Sequence, residues 1–529
     1  MKLYSTRNVN VVASSKEAII KGLAEDGGLF TPNFFDIQDK KLKIEDLLKL
    51  SYKEIAKKVF SIILSDFSEE ELDKAINGAY NKENFGPYSE AVAPTTEIGE
   101  DFLLELYHGP TSAFKDVALT ILPHFLTIAN NTIEASGNKN QNHQVYILTA
   151  TSGDTGKAAL SGFRDVDGTF ITVFYPTDGV SDIQKLQMNT SLGDNVSVVA
   201  IKGDFDDCQR LVKEIYTDKT IKNLADENSM IMSSANSINI GRLVPQIIYY
   251  TYSYVNLVNN KKISCGDKIN FVVPTGNFGD ILAGFIAKLL GTPIHKLICA
   301  SNENNVLTDF INTGVYDRNR PLYKTISPSM DILVSSNLER LLFLLSNSDS
   351  DYIKSLMNEL KEKGRYKVND KLLSQIKENF EAFYASENEC REAIKEAFEK
   401  DHRIIDTHTA IAYSCLKKYK NKNGTLCELT HRGELCEPAT VILSTASPYK
   451  FAKFILPCIT CDPIDNLDDF GKIYKLHDLT GEPIPENLLK LKDMKIRFDT
   501  TLSYDDCKKY VTDKIKSKSL ERSLKKGQI

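Results

Sequence analysis

Long apolar runs are missing from this sequence, and no stretch approaches the ~20 apolar residues that a membrane-spanning helix requires. The opening "MKLYSTRNVNVVASSKEAII" has no basic start leading into an apolar run, so no secretory leader is expected. Cysteine is absent from the first 207 residues, and the ten that follow form no regular framework. Cys458 and Cys461 make a single CxxC with no second pair at zinc spacing. That usage argues against a zinc ribbon or a disulfide scaffold, and for reduced thiols without a metal site. Basic excess is missing too. A net charge of −6 and a pI near 5.9 give no general attraction to nucleic acid or to an anionic membrane. No internal repeat is visible. What remains is a soluble, cytoplasmic globular chain, 42% hydrophobic and 26% charged. Its length suits about two to four domains or subdomains.

The first hundred residues read as mainly helical, with "SKEAIIKGLAEDG" and "IEDLLKLSYKEIAKKVFSIIL" carrying the periodicity and "EDGGLFTP" a turn. The texture then changes to short continuous apolar runs, each followed by a Gly- or Ser-bearing turn and a helical pattern. They are "VYILTA" (145–150), "FITVFYP" (170–176), "VSVVAI" (196–201), "INFVVPTG" (269–276), "KLICAS" (296–301) and "TVILST" (440–445). Continuous rather than alternating strands predict an α/β fold with a doubly wound, mostly parallel sheet, whose ligand loops follow the C-terminal strand ends. The expected division is a mainly helical segment at 1–95, a lysine-bearing region with a smaller α/β domain at 96–265, a large domain at 266–465, and a C-terminal extension at 466–529. Segments 130–144 and 420–438 read as polar surface insertions, the second with an Asn-Gly hairpin signal. The basic end reads as a solvated terminal helix or frayed tail.

Five loops carry the candidate chemistry. "HGPTSAFKD" (108–116) sets Lys115 among small residues after a buried strand, either as a surface loop lysine or as an amine held to form an imine. "TATSGDTGKAAL" (149–160) lacks the Gly-x-x-x-x-Gly-Lys-Ser/Thr spacing of a P-loop. What is left is a hydroxyl-rich strand-to-helix turn suited to an anion. "VVPTGNFGDILAG" (272–284) repeats that logic, with Gly276 and Gly279 letting the backbone approach a phosphate-sized ligand. "SSANSINIGRL" (233–243) gathers Asn236, Ser237, Asn239 and Arg242, which can cap a helix or recognise a second anion. "ILSTASPYKF" (442–451) ends a strand on Ser444 and Thr445, hydroxyls able to meet an aromatic ring nitrogen. Pyridoxal 5′-phosphate (PLP) calls for all of these groups: an amine for its aldehyde, a nest for its phosphate, a polar partner for its ring nitrogen, and a site for an amino-acid carboxylate beside it.

In order and spacing, "HGPTSAFKD", "TATSGDTG", "SSANSINIGR", "PTGNFGD" and "STASPYKF", with "MKLYSTRN" and "GLAEDGGLF" before them, closely resemble the threonine synthase family over residues 1 to 455. The resemblance implies a PLP domain paired with a smaller movable domain, as in the tryptophan-synthase β family. It implies conversion of O-phospho-L-homoserine and water to L-threonine and phosphate. Lys115 would be the Schiff-base lysine, while Gly276, Asn277, Phe278, Gly279 and Asp280 would hold the cofactor phosphate and Thr445 would meet the pyridine nitrogen. Thr151, Ser152, Asp154 and Thr155 would take the substrate carboxylate, and Asn236, Ser237, Asn239 and Arg242 the substrate phosphate. A monomer or homodimer is expected. Some threonine-synthase-like proteins instead eliminate phosphate and release 2-oxobutanoate, a reading the same motifs fit. Related PLP enzymes carry Asn at the position of Asp154, so this carboxylate must be protonated or turned away from a ring oxyanion. Many threonine synthases have His at the position of Ser447.

Overall fold

A computed structural model of the chain describes residues 1–135, 143–178, 180–423, 428–429 and 435–526. The N-terminal segment opens with a three-stranded antiparallel sheet of β1 (Leu3–Ser5), β2 (Asn8–Ala13) and β3 (Phe30–Thr31), in the order β2-β1-β3. Helices make up most of the remainder of residues 1–95, as expected, and the strands are the addition. They are two to six residues long and the β1–β2 turn at Thr6–Arg7 holds neither Gly nor Pro, so little in the sequence announces them. The helices Tyr52–Ile63 and Glu69–Ala79 follow, each started by a capping box (Ser51 with Glu54, Ser68 with Glu71). Ile55, Val59, Phe60 and Ile63 bury one stripe of the first, and it packs on the long helix Ile240–Asn259.

The body is built on two sheets. The larger contains β4 (Thr95–Ile98), β5 (Asp101–Glu105), β10 (Ile269–Pro274), β11 (Ile294–Ser301), β14 (Phe380–Tyr384) and β17 (Thr440–Ser444), in the order β14-β11-β10-β17-β5-β4. Every pair in it is parallel except β4–β5. The smaller is wholly parallel and contains β6 (Gln144–Ala150), β7 (Thr169–Pro176), β8 (Val196–Ile201), β9 (Met230–Ser234) and β18 (Thr501–Leu502), in the order β18-β8-β7-β6-β9. β7, β8 and β10 are buried at every position, as continuous apolar runs covered by helices on both faces must be. Two short antiparallel pairs complete the strands: β12 (Val315–Asp317) with β13 (Arg365–Lys367), and β15 (Glu428–Leu429) with β16 (Leu435–Cys436). The Asn-Gly of 423–424 stands before this last pair, at the end of the Thr407–Asn423 helix, and not between its strands. The other insertion falls largely on 136–142, outside the described residues.

Neither sheet follows one stretch of chain. β4 and β5 precede the smaller sheet in sequence but belong to the larger, which brings the Lys115 loop next to β17. The C-terminal extension is more than a surface element. β18 covers the edge of β8, and the helix Tyr504–Lys526 buries Cys507, Val511 and Ile515 against Leu211, Phe170 and Tyr146. Arg497 ties the same segment to the carbonyls of Ser191 (2.8 Å) and Gly193 (3.1 Å). No helix among the described residues is long and apolar enough to cross a membrane.

If this helix is part of the small domain's core, Ile515→Ala should cost about 2–5 kcal/mol in chemical denaturation. A loss of under about 0.5 kcal/mol, the usual effect of a surface substitution, would return the segment to a solvated tail.

Candidate active site

The five loops singled out in the sequence all leave the C-terminal ends of parallel strands: β5, β17 and β10 in the larger sheet, β6 and β9 in the smaller. They meet in one pocket. Of the predicted site residues, Lys115, Ser152, Asp154, Thr155, Asn236, Ser237, Arg242, Gly276, Asn277, Phe278, Gly279, Asp280 and Thr445 line it.

Thr151 and Asn239 do not. The Thr151 hydroxyl accepts from the N–H groups of Gly153 (2.9 Å) and Gly156 (2.8 Å), starting the helix beneath the loop. Asn239 caps the Ile240–Asn259 helix through Gly241 N–H (2.9 Å) and donates to the carbonyls of Ile19 and Ser234 (both 2.9 Å). Both side chains shape loops and stand outside the pocket lining, apart from the other residues expected to contact substrate.

Lys115 begins a short helix and is only 7% exposed. Its loop is folded by Asp116, which accepts from Thr111 N–H (2.8 Å) and the Thr111 hydroxyl (2.6 Å). The loop is also laced to the β17 end, because Phe114 N–H donates to Thr445 O (2.8 Å) and Ser447 N–H to Ser112 O (3.1 Å). Burial lowers the Lys115 pKa, and Lys450 and Arg242 push the same way, while Asp154 opposes them. The Nζ stands 3.4 Å from Asp154 Oδ2 and 4.4 Å from the centre of the Phe114 ring.

Asp154 answers the question its identity posed. Burial by itself would raise its pKa, but Lys450, Lys115 and Gln184 together hold it well below the usual carboxylate range. It is therefore ionised. Gln184 Nε2 donates to Oδ1 at 2.7 Å, and Lys450, whose side chain is wholly buried, forms an ion pair with the same oxygen. Lys450 lies within the quoted "STASPYKF", yet nothing in its flanks signals a role. His408 was missed as well. It lines the pocket, its Nε2 accepts from Ser329 N–H (3.2 Å), and its Nδ1 is therefore the protonated nitrogen, donating to Asp406 Oδ1 (2.8 Å).

The Gly276–Asp280 turn is an anion nest. Among the described residues, none of its five backbone N–H groups donates a hydrogen bond within the protein. Its carbonyls are drawn outward instead, Gly276 O by the Ser335 hydroxyl (2.8 Å) and Asn277 O by Asn337 N–H (3.1 Å) and Nδ2 (3.0 Å). Phe278 adopts a left-handed φ of 61°, a strained conformation held by burial of its ring beside Phe380. Gly276 admits no side chain, since a Cβ there would lie 2.6 Å from Ser329 O. Asp280 places its carboxyl at this nest. Burial raises its pKa to about 6 despite hydrogen bonds to Oδ1 from Tyr249 (2.5 Å) and Tyr250 (2.8 Å), and Oδ2 has no partner.

The second anion locus is Arg242, buried at 5% exposure. It donates to Ala235 O (3.1 Å) and Thr155 Oγ1 (3.3 Å), and among the described residues its Nε has no partner and no carboxylate pairs with it. Beside it, Asn236 lines the pocket with its amide bonded both ways to the backbone of Ala150. Five free N–H groups around a cradle no side chain can fill, a buried amine and the Thr445 hydroxyl together fit PLP, phosphate in the nest and aldehyde toward Lys115.

Family comparisons agree with this geometry. Residues 2–80 match the family model for the threonine synthase N terminus, and residues 87–427 that for pyridoxal-phosphate dependent enzymes. The chain belongs to the PLP-dependent threonine synthase family. It is 35% identical over 509 residues to threonine synthase of Saccharomyces cerevisiae, covering 90% of this chain and 96% of that protein. It is 39% identical over 487 residues to threonine synthase-like 1 of Homo sapiens, where the match takes in 90% of this chain and spans 62% of the length of that relative. The crystal structure of PLP-bound threonine synthase from Brucella melitensis superposes with a TM-score of 0.80 at 32% identity, covering 97% of this chain and 99% of that one.

The Asp280 carboxyl gives the cofactor site a pH dependence with a defined sign. Its pKa of about 6 means that it gains charge as pH rises through that value and then repels a bound phosphate. PLP affinity, measured by absorbance titration, should weaken across that range more in the natural protein than in Asp280→Asn. Identical pH profiles would remove Asp280 from the phosphate site.

Proposed function

We propose that this member of the family is a threonine synthase, converting O-phospho-L-homoserine and water to L-threonine and phosphate. The observation that carries the reading is Arg242, a buried guanidinium with no carboxylate partner among the described residues, in the same pocket as the Gly276–Asp280 nest but on a different loop. One phosphate nest serves the cofactor. A second cationic locus suits a substrate with a phosphate of its own.

PLP, when bound, supplies an aldehyde that joins an amine and a ring that draws electrons from the substrate carbons. The chain's own groups do the rest. Lys115 takes the proton leaving the α carbon, hands it on, which the lowered basicity of its buried amine favours, and as a free amine again takes one from the β carbon. Arg242 steadies the negative charge that builds on the γ-phosphate as it departs. Ser152 and Thr155, at the start of the Asp154–Gly162 helix, offer hydroxyls and the positive end of the helix to the substrate carboxylate. Thr445 presents a neutral hydroxyl to the ring nitrogen, which leaves that nitrogen unprotonated and tempers its pull on electrons. Return of protons at Cγ and at the α carbon, with addition of the hydroxyl of water at Cβ, then completes threonine.

The alternative that the same motifs fit is a phospho-lyase. A phospho-lyase shares every step up to phosphate loss and then releases 2-oxobutanoate. Product analysis separates the two. Protein loaded with PLP and given O-phospho-L-homoserine should yield phosphate matched mole for mole by threonine. Phosphate matched by 2-oxobutanoate would make the chain a lyase, and no phosphate would overturn both.

A further inference from the structure

Two buried lysines meet one carboxylate at the head of the lysine loop. Lys450 and Gln184 both bind Asp154 Oδ1, whereas Lys115 faces Oδ2 at 3.4 Å, a weak contact for a charged hydrogen bond. Lys450 Nζ also donates to Thr111 O (3.3 Å), so one ammonium group fixes both the Asp154 helix start and the loop that carries Lys115. Lys450 is not among the residues lining the pocket, and it has no direct access to substrate.

We propose that Lys450 is a positioning residue. By occupying Asp154 Oδ1 it keeps the carboxylate from closing a tight ion pair on Lys115, and so leaves the Lys115 amine more readily free and nucleophilic. This rests on the reading of Lys115 as the amine that joins the cofactor aldehyde. Four charged or titratable groups face that amine, each from a different element: Asp154 on the Asp154–Gly162 helix, Lys450 on the turn Pro448–Phe451, Arg242 on the Ile240–Asn259 helix, and Asp280 on the Gly279–Leu289 helix. Two are cations that disfavour the ammonium and two are carboxyls that favour it. Lys450 alone among them both repels Lys115 and restrains its main counter-ion. Without it, Asp154 would be a buried carboxylate with one lysine left to neutralise it, and Lys115 would be held as that partner. A Lys450 that only bound the loop to the helix, without acting on the amine directly or through Asp154, would leave the Lys115 titration unchanged on removal.

The test is the titration of one amine. In the full-length protein freed of cofactor, competitive acylation across a pH series, read by mass spectrometry on the peptide bearing Lys115, gives that lysine's midpoint. Lys450→Met should raise the midpoint by about one unit or more, which is about a tenfold loss of free amine on the acid side of the curve. Lys450→Arg should return it toward the natural value. Should Lys450→Met fail to fold by circular dichroism, Lys450→Gln, which keeps a donor to Asp154, should move the midpoint in the same direction. An unchanged midpoint in a folded, charge-removed variant would overturn the proposal. Borohydride reduction of the loaded natural protein, with mapping of the labelled residue, independently tests whether Lys115 joins the cofactor.

Discussion

Arg242 and Arg340 are buried guanidinium groups, and no described carboxylate pairs with either. Burying a charge without a partner costs several kcal/mol. Burial pulls both pKa values down, Arg242 to about 10 and Arg340 to about 9, although Glu339 acts against the shift at Arg340. Two solutions to the same problem stand side by side. Arg340 is satisfied by the protein: it donates to Phe30 O (3.0 Å), Ser237 O (3.2 Å), Ile238 O (2.5 Å) and Asn337 Oδ1 (2.5 Å). Arg242 is satisfied only in part, donating to Ala235 O and Thr155 Oγ1, and among the described residues its Nε has no partner while it lines the pocket. Most of the site's architecture follows from keeping Arg242 in that condition.

Arg340 supplies the rigidity. Through Asn337, which holds Asn277 O, it reaches the phosphate nest, and through Ser237 and Ile238 it reaches the loop before Arg242. Phe30 O brings the N-terminal segment into the same junction, and Glu339 next in sequence accepts from Thr6 (2.6 Å) and Arg7 (2.8 Å to each oxygen). The N-terminal segment thus buttresses both anion loci without lining the pocket. Asp154, one residue before the Thr155 that Arg242 contacts, has its charge held by Lys450 and Gln184, so it adds little net negative charge to the pocket.

Much of this could be read from the sequence, and the reasons are physical. Strands buried on both faces must be continuous apolar runs, which is why β6, β7, β8, β10, β11 and β17 stand out. β14 does not, because "FEAFY" is an edge strand, with Glu381 half-buried and Tyr384 exposed. Loops with Gly, Ser and Thr after a strand end announce anion nests. They do not say which hydroxyls face outward, so Thr151 and Asn239 read as ligands when their oxygens hold N–H groups of their own loops. Long-range partners leave no local trace at all. Lys450 stands 296 residues from Asp154, Arg340 is 310 from Phe30, and His408 has only Asp406 beside it to hint at a held tautomer. The burial of Ile515 was hidden for another reason: the charged residues around it dominate the composition of its helix.

Threonine synthesis in this pocket requires two separate phosphate loci, one for cofactor and one for substrate. The most direct measurement is calorimetric titration of the PLP-loaded protein with inorganic phosphate, repeated on Arg242→Gln. The claim predicts one phosphate bound per chain beyond that of the cofactor, and loss of that phosphate in the variant while PLP is retained. Binding that survives unchanged in PLP-loaded Arg242→Gln, or no binding in the natural protein, would contradict it.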